Sequence, residues 1–364
     1  MKIPVFVMIC GSIAALTATS LFAQDLGSGV IQSFDGRNFY HHRFRDIEQK
    51  PYVDMLCTPQ GQNILRDAPP DHYHHHALMF AIRINGVNFW EEYGYPGRQQ
   101  LTDGTSVQSD LTCGPEETRI QETMQLDWVT QRGTILLQEQ RLIRAEMKSV
   151  DDPVLLEWVS ILTRPDQQKK VEQVNDDIAI PEHSQEMDEK IFLHGSSYNG
   201  FGIRFDESMD FGGRFFYSDD SQEIPLDPNF DLHKNHQCRW VAYTSKLNGQ
   251  PVTVALYDLG SAIAPKDALR NAPYDSSPFD FFLDAKNFPA VKRIPMVTYS
   301  LNDPTENRTN AYLSATANIF REPLYVEENE AVVFCYAMAI WEGEQTSEEV
   351  EEISQQWKLK IQDE

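Results

Sequence analysis

Apolar and polar residues alternate with a period of two over many short stretches of this chain, and each stretch ends in turn residues, a pattern that predicts β-strands rather than helices. Leu78, Phe80, Ile82 and Ile84 alternate with Ala77, Met79, Ala81 and Arg83, and Asn85-Gly86 supplies the two positive φ angles of a type I′ hairpin turn before Val87 to Glu92. Strands are likewise predicted over Thr123 to Thr130, Thr134 to Arg144 after a Gln131-Arg132-Gly133 turn, and Val154 to Leu162. They resume at Ile191 to Phe205, Arg214 to Tyr217 and Cys238 to Leu259, where Asn248-Gly249 repeats the hairpin signal. Phe279 to Leu283, Pro295 to Leu301, Ala311 to Phe320 and Ala331 to Trp341 complete a meander-like antiparallel series of about fifteen strands, a count that suits one large sandwich. Only the tail reads as helical: Thr346 and Glu349 form a capping box, and Val350, Ile353 and Trp357 follow at helical spacing. The polar stretch Gln167 to Glu189 has no strand period and reads as an exposed excursion.

Residues 1–23 have the layout of a secretory leader: Lys2, an apolar run from Ile3 to Phe22, and Ala23 before Gln24-Asp25. An uncleaved anchor is the competing reading, because the run is almost long enough to span a bilayer. Residues 24–364 are then expected to form one β-sandwich domain, secreted or periplasmic, with no integral membrane span after the leader is removed. Acidic residues outnumber basic ones 55 to 31, for a net charge of −24, which argues against a nucleic acid partner. Past the leader Cys57, Cys113, Cys238 and Cys335 remain, an even number that permits a disulfide while the spacings name no pair. Cys335 lies in an apolar run, where a buried thiol is the simpler reading.

Candidate chemistry concentrates in Pro69-Pro70-Asp71-His72-Tyr73-His74-His75-His76, where four of the ten histidines fall within five positions. The two prolines favour an extended approach, and an extended backbone places His72, His74 and His76 on one face and Tyr73 and His75 on the other. Histidine titrates near neutrality, and a carboxylate beside it orients the ring and stabilises its charged form. Asp71, His74, His75, Glu91 and His194 are therefore the candidate proton-transfer residues, with Glu91 or Glu92 returning across the hairpin as the carboxylate. His72, Trp90, Tyr93, Arg204 and Arg239 are the candidate substrate contacts, the aromatic rings as stacking faces and the arginines as partners for a hydroxyl or a carboxylate. A His-x-His pair also suits zinc or copper, so His72, His74 and His76 are candidate metal ligands, with a third ligand from His194, His233, His236 or a carboxylate, although the proton-transfer reading requires no cofactor. Each has a structural counterpart: Asp71 or His72 satisfying backbone groups, Trp90 and Trp240 packing in a core, Arg204 pairing with a surface acid.

The order Asp-His-x-His-His, an apolar strand, then Asn-Gly-Val-Asn-Phe-Trp resembles the PmoA-type family of bacterial secreted proteins, which carries the label methane oxygenase PmoA. Lys50-Pro51-Tyr52, Thr58-Pro59, Gly200-Phe201-Gly202-Ile203-Arg204 and Arg239-Trp240-Val241 through Leu247-Asn248-Gly249-Gln250-Pro251-Val252 to Tyr257-Asp258 extend the resemblance over most of the chain. It implies a sandwich similar to the galactose mutarotase superfamily and a carbohydrate ligand, with cleavage or isomerisation of a glycoside or sugar as the expected reaction. The alternatives it leaves open are a carbohydrate-binding protein without catalysis and a histidine-ligated copper or zinc protein.

Overall fold

A computed structural model describes residues 30–33, 35–45, 47–114, 117–165, 191–224, 233–266, 292–301 and 311–363. Two large antiparallel sheets dominate. A nine-stranded sheet runs in the order Ile31–Gln32, Asn38–Arg43, Tyr52–Leu56, Leu78–Ala81, Gly200–Arg204, Tyr312–Ala315, Val297–Leu301, His233–Gln237, Gln222–Ile224. An eleven-stranded sheet has as its spine Arg214–Tyr217, Trp240–Leu247, Gln250–Asp258, Glu330–Glu342, Val154–Thr163, Ile135–Met147, Glu117–Val129 and Arg98–Leu101. A small third sheet joins Leu324–Val326, Ile191–His194, Arg83–Ile84 and Val87–Asn88.

The two large sheets pack face to face, because period-two alternation gives each an apolar surface that only the other can cover. Phe80 meets Phe334 at 5.2 Å between ring centroids, Phe201 meets Trp158 at 5.2 Å and Phe205 meets Tyr243 at 4.9 Å, each pair linking one sheet to the other. The two hairpin turns form as their sequences require, with positive φ at Asn85 (48°), Gly86 (86°), Asn248 (50°) and Gly249 (88°). The helix Ser347–Asp363 carries the expected capping box, Thr346 N–H donating to Glu349 Oε2 at 2.7 Å and Glu349 N–H to Thr346 Oγ1 at 3.3 Å. It covers the second face of the larger sheet, with Trp357 against Tyr257 (4.9 Å) and Val350 buried beside Trp240 and Ala337.

Several expectations change. Asn38–Arg43, Tyr52–Leu56, Arg98–Leu101 and Gln108–Gly114 are strands that the periodicity did not mark, short or polar enough to hide the alternation. The strand expected to reach Phe320 stops at Ala315, because Ala317 and Asn318 turn left-handed with φ of 49° and 57°. Cys57, Cys238 and Cys335 are buried free thiols, which burial pushes to about 12 in Cys57 and Cys238 and well above the ordinary range in Cys335. Residues 1–23, expected to be a leader, Gln167 to Glu189 and Phe279 to Leu283 lie outside the described residues. Among those described, no helix is long and apolar enough to cross a membrane.

Candidate functional site

The histidine segment is a compact loop, not the extended strand that its prolines suggest. Two consecutive reversals fold it, His72 N–H donating to Pro69 O at 2.9 Å and His75 N–H to His72 O at 2.8 Å. Left-handed Ala68 (φ 44°) and Ala77 (φ 45°) bound it, and an isolated bridge between Asp67 and His76 closes its neck. It is stapled to the sheet by Arg204, whose N–H donates to Ala77 O while its carbonyl accepts from Arg66 N–H. Three rings converge that alternation would have separated: His72 lies 5.9 Å from His74 and 4.7 Å from His75, and His74 lies 4.6 Å from His75.

His72 Nδ1 is 2.8 Å from Asp71 Oδ2, and the side chain is 40% exposed. Burial works to raise the pKa of Asp71, but the His72 hydrogen bond and the Arg204 guanidinium, 3.6 Å away, hold it below the usual carboxylate range. Arg66 adds a second cation at 3.9 Å. Asp71 is therefore an ionised partner that orients a half-exposed imidazole. His74 sits between two exposed aromatic rings, Tyr73 at 6.0 Å and Tyr93 at 6.3 Å, which are 56% and 60% exposed. Desolvation and the Lys50 charge lower its pKa to about 4, so it is a neutral imidazole at physiological pH, able to donate one hydrogen bond from one ring nitrogen and accept one at the other.

His75 is not on the surface. It is 7% exposed, packed against Tyr312 (5.0 Å) and Trp90 (5.7 Å), and burial with the neighbouring His74 depresses its pKa well below the usual value. His75, a proton-transfer candidate from the sequence, is thus a buried residue packed beneath the loop. Trp90 is fully buried, so its ring is not an open stacking face. It packs over Gly202, where an added Cβ would stand 2.7 Å from the Trp90 ring and 2.4 Å from the Tyr312 hydroxyl oxygen. Gly202→Ala is therefore expected to cost about 1–3 kcal/mol by overpacking, read as a lower urea midpoint at unchanged slope.

His76 separates from the other three. Its Nδ1 lies 2.8 Å from Asp67 Oδ1, its Nε2 lies 2.9 Å from Glu92 Oε1, and its ring stacks on Tyr52 at 4.5 Å. Burial opposes its charge, but the two carboxylates prevail and raise its pKa. Buried Lys50 joins the same network, donating to Glu92 Oε1 at 2.6 Å. The carboxylate that returns across the hairpin to a histidine is thus Glu92. Glu91 is buried and fully engaged: it accepts from Tyr198 Oη at 2.9 Å, from Arg83 at 3.2 Å and from Asn88, which with the Arg83 charge overcome burial and keep it ionised below its ordinary pKa. That makes it a clamp between the hairpin and the Tyr198 loop.

The remaining candidates lie apart from this cluster. His194 stacks on Phe192 (4.9 Å), and its Nε2 accepts from Gly86 N–H at 3.0 Å, so it caps the hairpin turn; desolvation and the Arg83 charge lower its pKa. Arg239 pairs with Asp220 (2.8 Å) and Glu351 (2.8 Å), tying the C-terminal helix to the larger sheet. His233 is on the strand His233–Gln237, and His236 stacks on Tyr217 at 3.8 Å. Among the described residues no group of three or more His, Cys, Asp or Glu side chains is placed to hold a metal ion, because His76 is drawn off by its carboxylates. Tyr73, Asp67 and Lys50 were not singled out by sequence reasoning, whereas Glu92 was named as the alternative to Glu91; the extended-chain assumption set Tyr73 apart from His74, and Asp67 and Lys50 take part only through the loop's closure. A cleft lined by Pro59, Asp151, Asp152, Trp341, Glu349 and Ile353, among others, lies elsewhere and includes none of the histidine segment.

The histidines also set a pH dependence. A group whose folded pKa is depressed and whose charged form is the protonated one contributes stability above its unfolded pKa, near 6.5, and loses it as pH falls toward the folded value. His74 and His75 both act in this sense, so the unfolding free energy is expected to drop between about pH 6.5 and 4, and His75→Phe to flatten that drop. His76 acts oppositely: its raised pKa contributes stability below 6.5 that is lost as pH rises through the raised value. Urea midpoints measured across pH 4 to 8 for the parent, His75→Phe and His76→Gln check both signs.

No curated protein matches the sequence. Among solved structures, a GH36 alpha-galactosidase from Geobacillus stearothermophilus in complex with 1-deoxygalactonojirimycin is similar with a TM-score of 0.40 and 8% identity, over 90% of this chain and 41% of that one. A further variant of the same enzyme in complex with raffinose gives 0.39 and 7%, over 89% and 41%. The chain thus spans about two fifths of the length of these solved chains, and a likeness this loose says nothing about activity. The matching sequence family carries no oxygenase description, so it lends no support to the methane oxygenase label. Its match runs over residues 30–355, and the chain belongs to that family, described as a family of unknown function, DUF6807.

Proposed function

We propose that the loop Asp67 to His76 and the neighbouring Tyr93 form a carbohydrate site at which the Asp71–His72 pair transfers a proton, cleaving or isomerising a glycoside or sugar. The observation that carries this reading is the half-exposed His72 held at 2.8 Å by an ionised Asp71, beside neutral His74 flanked by two exposed tyrosines. Ionised Asp71 keeps one ring nitrogen of His72 occupied and leaves the other to exchange a proton with the ligand. Exposed Tyr73 and Tyr93 offer apolar faces with polar tips, the combination that suits a sugar ring, and His74 offers one hydrogen bond between them. The proposal includes export, on the leader-like pattern of residues 1–23.

The test is a panel of oligosaccharides screened for turnover and for binding with the protein lacking residues 1–23. Tyr73→Ala and Tyr93→Ala are each expected to weaken binding about tenfold, the usual cost of removing an aromatic contact at the centre of a site. Unchanged affinity in both variants, measured by titration calorimetry, sinks the stacking role.

A further inference from the structure

The strand Gly200–Arg204 turns Phe201 toward the larger sheet, so Gly202 faces the other way. In register with Gly202 across neighbouring strands stand Met79 on one side and Ser314, Tyr299 and Asn235 on the other. Three strand spacings separate Gly202 from Asn235, a span of about 14 Å. Over this row four aromatic rings close a circuit: Trp90 to Tyr198 at 6.0 Å, Tyr198 to Tyr299 at 6.0 Å, Tyr299 to Tyr312 at 6.0 Å and Tyr312 back to Trp90 at 6.2 Å. His75, the inward side chain of the histidine loop, packs on two of them.

This face collects buried polar atoms that have no hydrogen-bond partner. Asn235 is fully buried, and among the described residues neither its amide oxygen nor its nitrogen has a partner; the same holds for Trp90 Nε1 and His75 Nδ1. Buried side-chain polar atoms usually have partners in folded proteins, and a group of them on one face can be satisfied by a bound molecule. Their chemistry limits what that molecule is. The indole N–H only donates, whereas the amide both donates and accepts. No carboxylate or thiolate is among them to attract a cation, and none carries a positive charge to hold an anion. A molecule with several hydroxyl groups and an apolar ring face satisfies all of them at once.

We propose that this face is an enclosed subsite for a further sugar ring of an oligosaccharide, continuous with the ring held at Tyr73 and Tyr93, and opened when the Asp67–His76 loop lifts His75 off Trp90 and Tyr312. The subsite rests on the carbohydrate reading above and adds to it a ligand of at least two to three sugar units. Lifting pivots about the left-handed Ala68 and Ala77 and parts the Asp67–His76 bridge, the hydrogen bond from Ala68 N–H to His75 O and the ion pairs of Asp71 with Arg204 and Arg66.

Titration calorimetry with cellotriose, xylotriose, maltotriose and mannotriose, on the parent, Asn235→Leu and Trp90→Phe, tests it. Asn235→Leu removes an amide that has no partner in the unliganded fold, so it is expected to keep or raise the urea midpoint, and Trp90→Phe retains a ring while removing the N–H. Each variant is expected to weaken at least tenfold the trisaccharide that the parent binds, and to leave the corresponding monosaccharide unaffected. A trisaccharide bound equally by the parent and both folded variants overturns the subsite and leaves the surface site standing. A parent that binds none of the four overturns the carbohydrate reading and the subsite with it.

Discussion

Replacing His72 by alanine is expected to lower kcat/KM on the saccharide that the panel identifies by about 10²- to 10⁴-fold, the usual contribution of a positioned acid or base. Asp71→Asn should fall in the same range or somewhat above it in activity, because it keeps the hydrogen bond to His72 Nδ1 while removing the charge that fixes the tautomer. The two losses should not add: with His72 gone, Asp71 has no ring to orient, so the double variant is expected to match His72→Ala alone. His194→Ala serves as the contrast. Its ring nitrogen is used on Gly86 N–H, and its loss should disturb the Asn85-Gly86 turn without a selective effect on turnover. A protein that only binds sugars would respond differently, showing no turnover in the parent and a change in affinity alone on losing His72.

The largest effect on stability is expected between the sheets, at a fully buried ion pair. Arg141 and Glu139 are fully buried, alternate residues of the strand Ile135–Met147, and bonded to each other at 2.8 Å. Their remaining valences are taken up: Glu139 accepts from Trp128 Nε1 (2.8 Å) and Ser160 Oγ (2.6 Å), and Arg141 donates to Gln99 Oε1 (2.8 Å) and Pro51 O (3.3 Å). The guanidinium also lies over the Trp158 ring at 4.8 Å. A satisfied buried pair contributes little net stability, but removing one member strands the other charge. Glu139→Ala or Arg141→Ala is therefore expected to cost about 3–5 kcal/mol, whereas a double replacement by apolar residues of similar volume should recover much of that loss. Urea denaturation of the two single variants and the double variant measures the difference directly. Near-equal losses in all three would mean that the network, and not the unpaired charge, sets the cost.

The sheets were legible because burial on one or both faces imposes a period that survives in the sequence, as in Thr123 to Thr130 and Val154 to Leu162. Both Asn-Gly turns and the capped C-terminal helix were legible for a local reason, since each depends on residues only a few positions apart. The histidine loop was not. Pro69 and Pro70 point to an extended chain, and the two reversals that fold the segment depend on contacts made elsewhere, chiefly the Asp67–His76 bridge and the Arg204 staple. That one change of conformation redistributes the candidates. It gathers His72 and His74 with Tyr73 and Tyr93, buries His75 against Trp90, and sends His76 to Glu92 instead of to a metal. His194 was a candidate because it lies in a loop-rich segment that follows a strand, and Arg239 because a guanidinium suits a hydroxyl or a uronate; nothing in their local sequence revealed that a turn amide and a glutamate in the tail helix would occupy them.

The most direct test of the account follows the imidazole rings of His72 and His74 by NMR during titration with the oligosaccharide that binds. The account predicts that both sets of ring signals move along one saturable curve, with the same Kd that calorimetry gives, while those of His194 and His236 stay in place. Saturation of the protein without any movement at His72 and His74 would contradict it, because the ligand would then be bound somewhere other than the loop that carries Asp71.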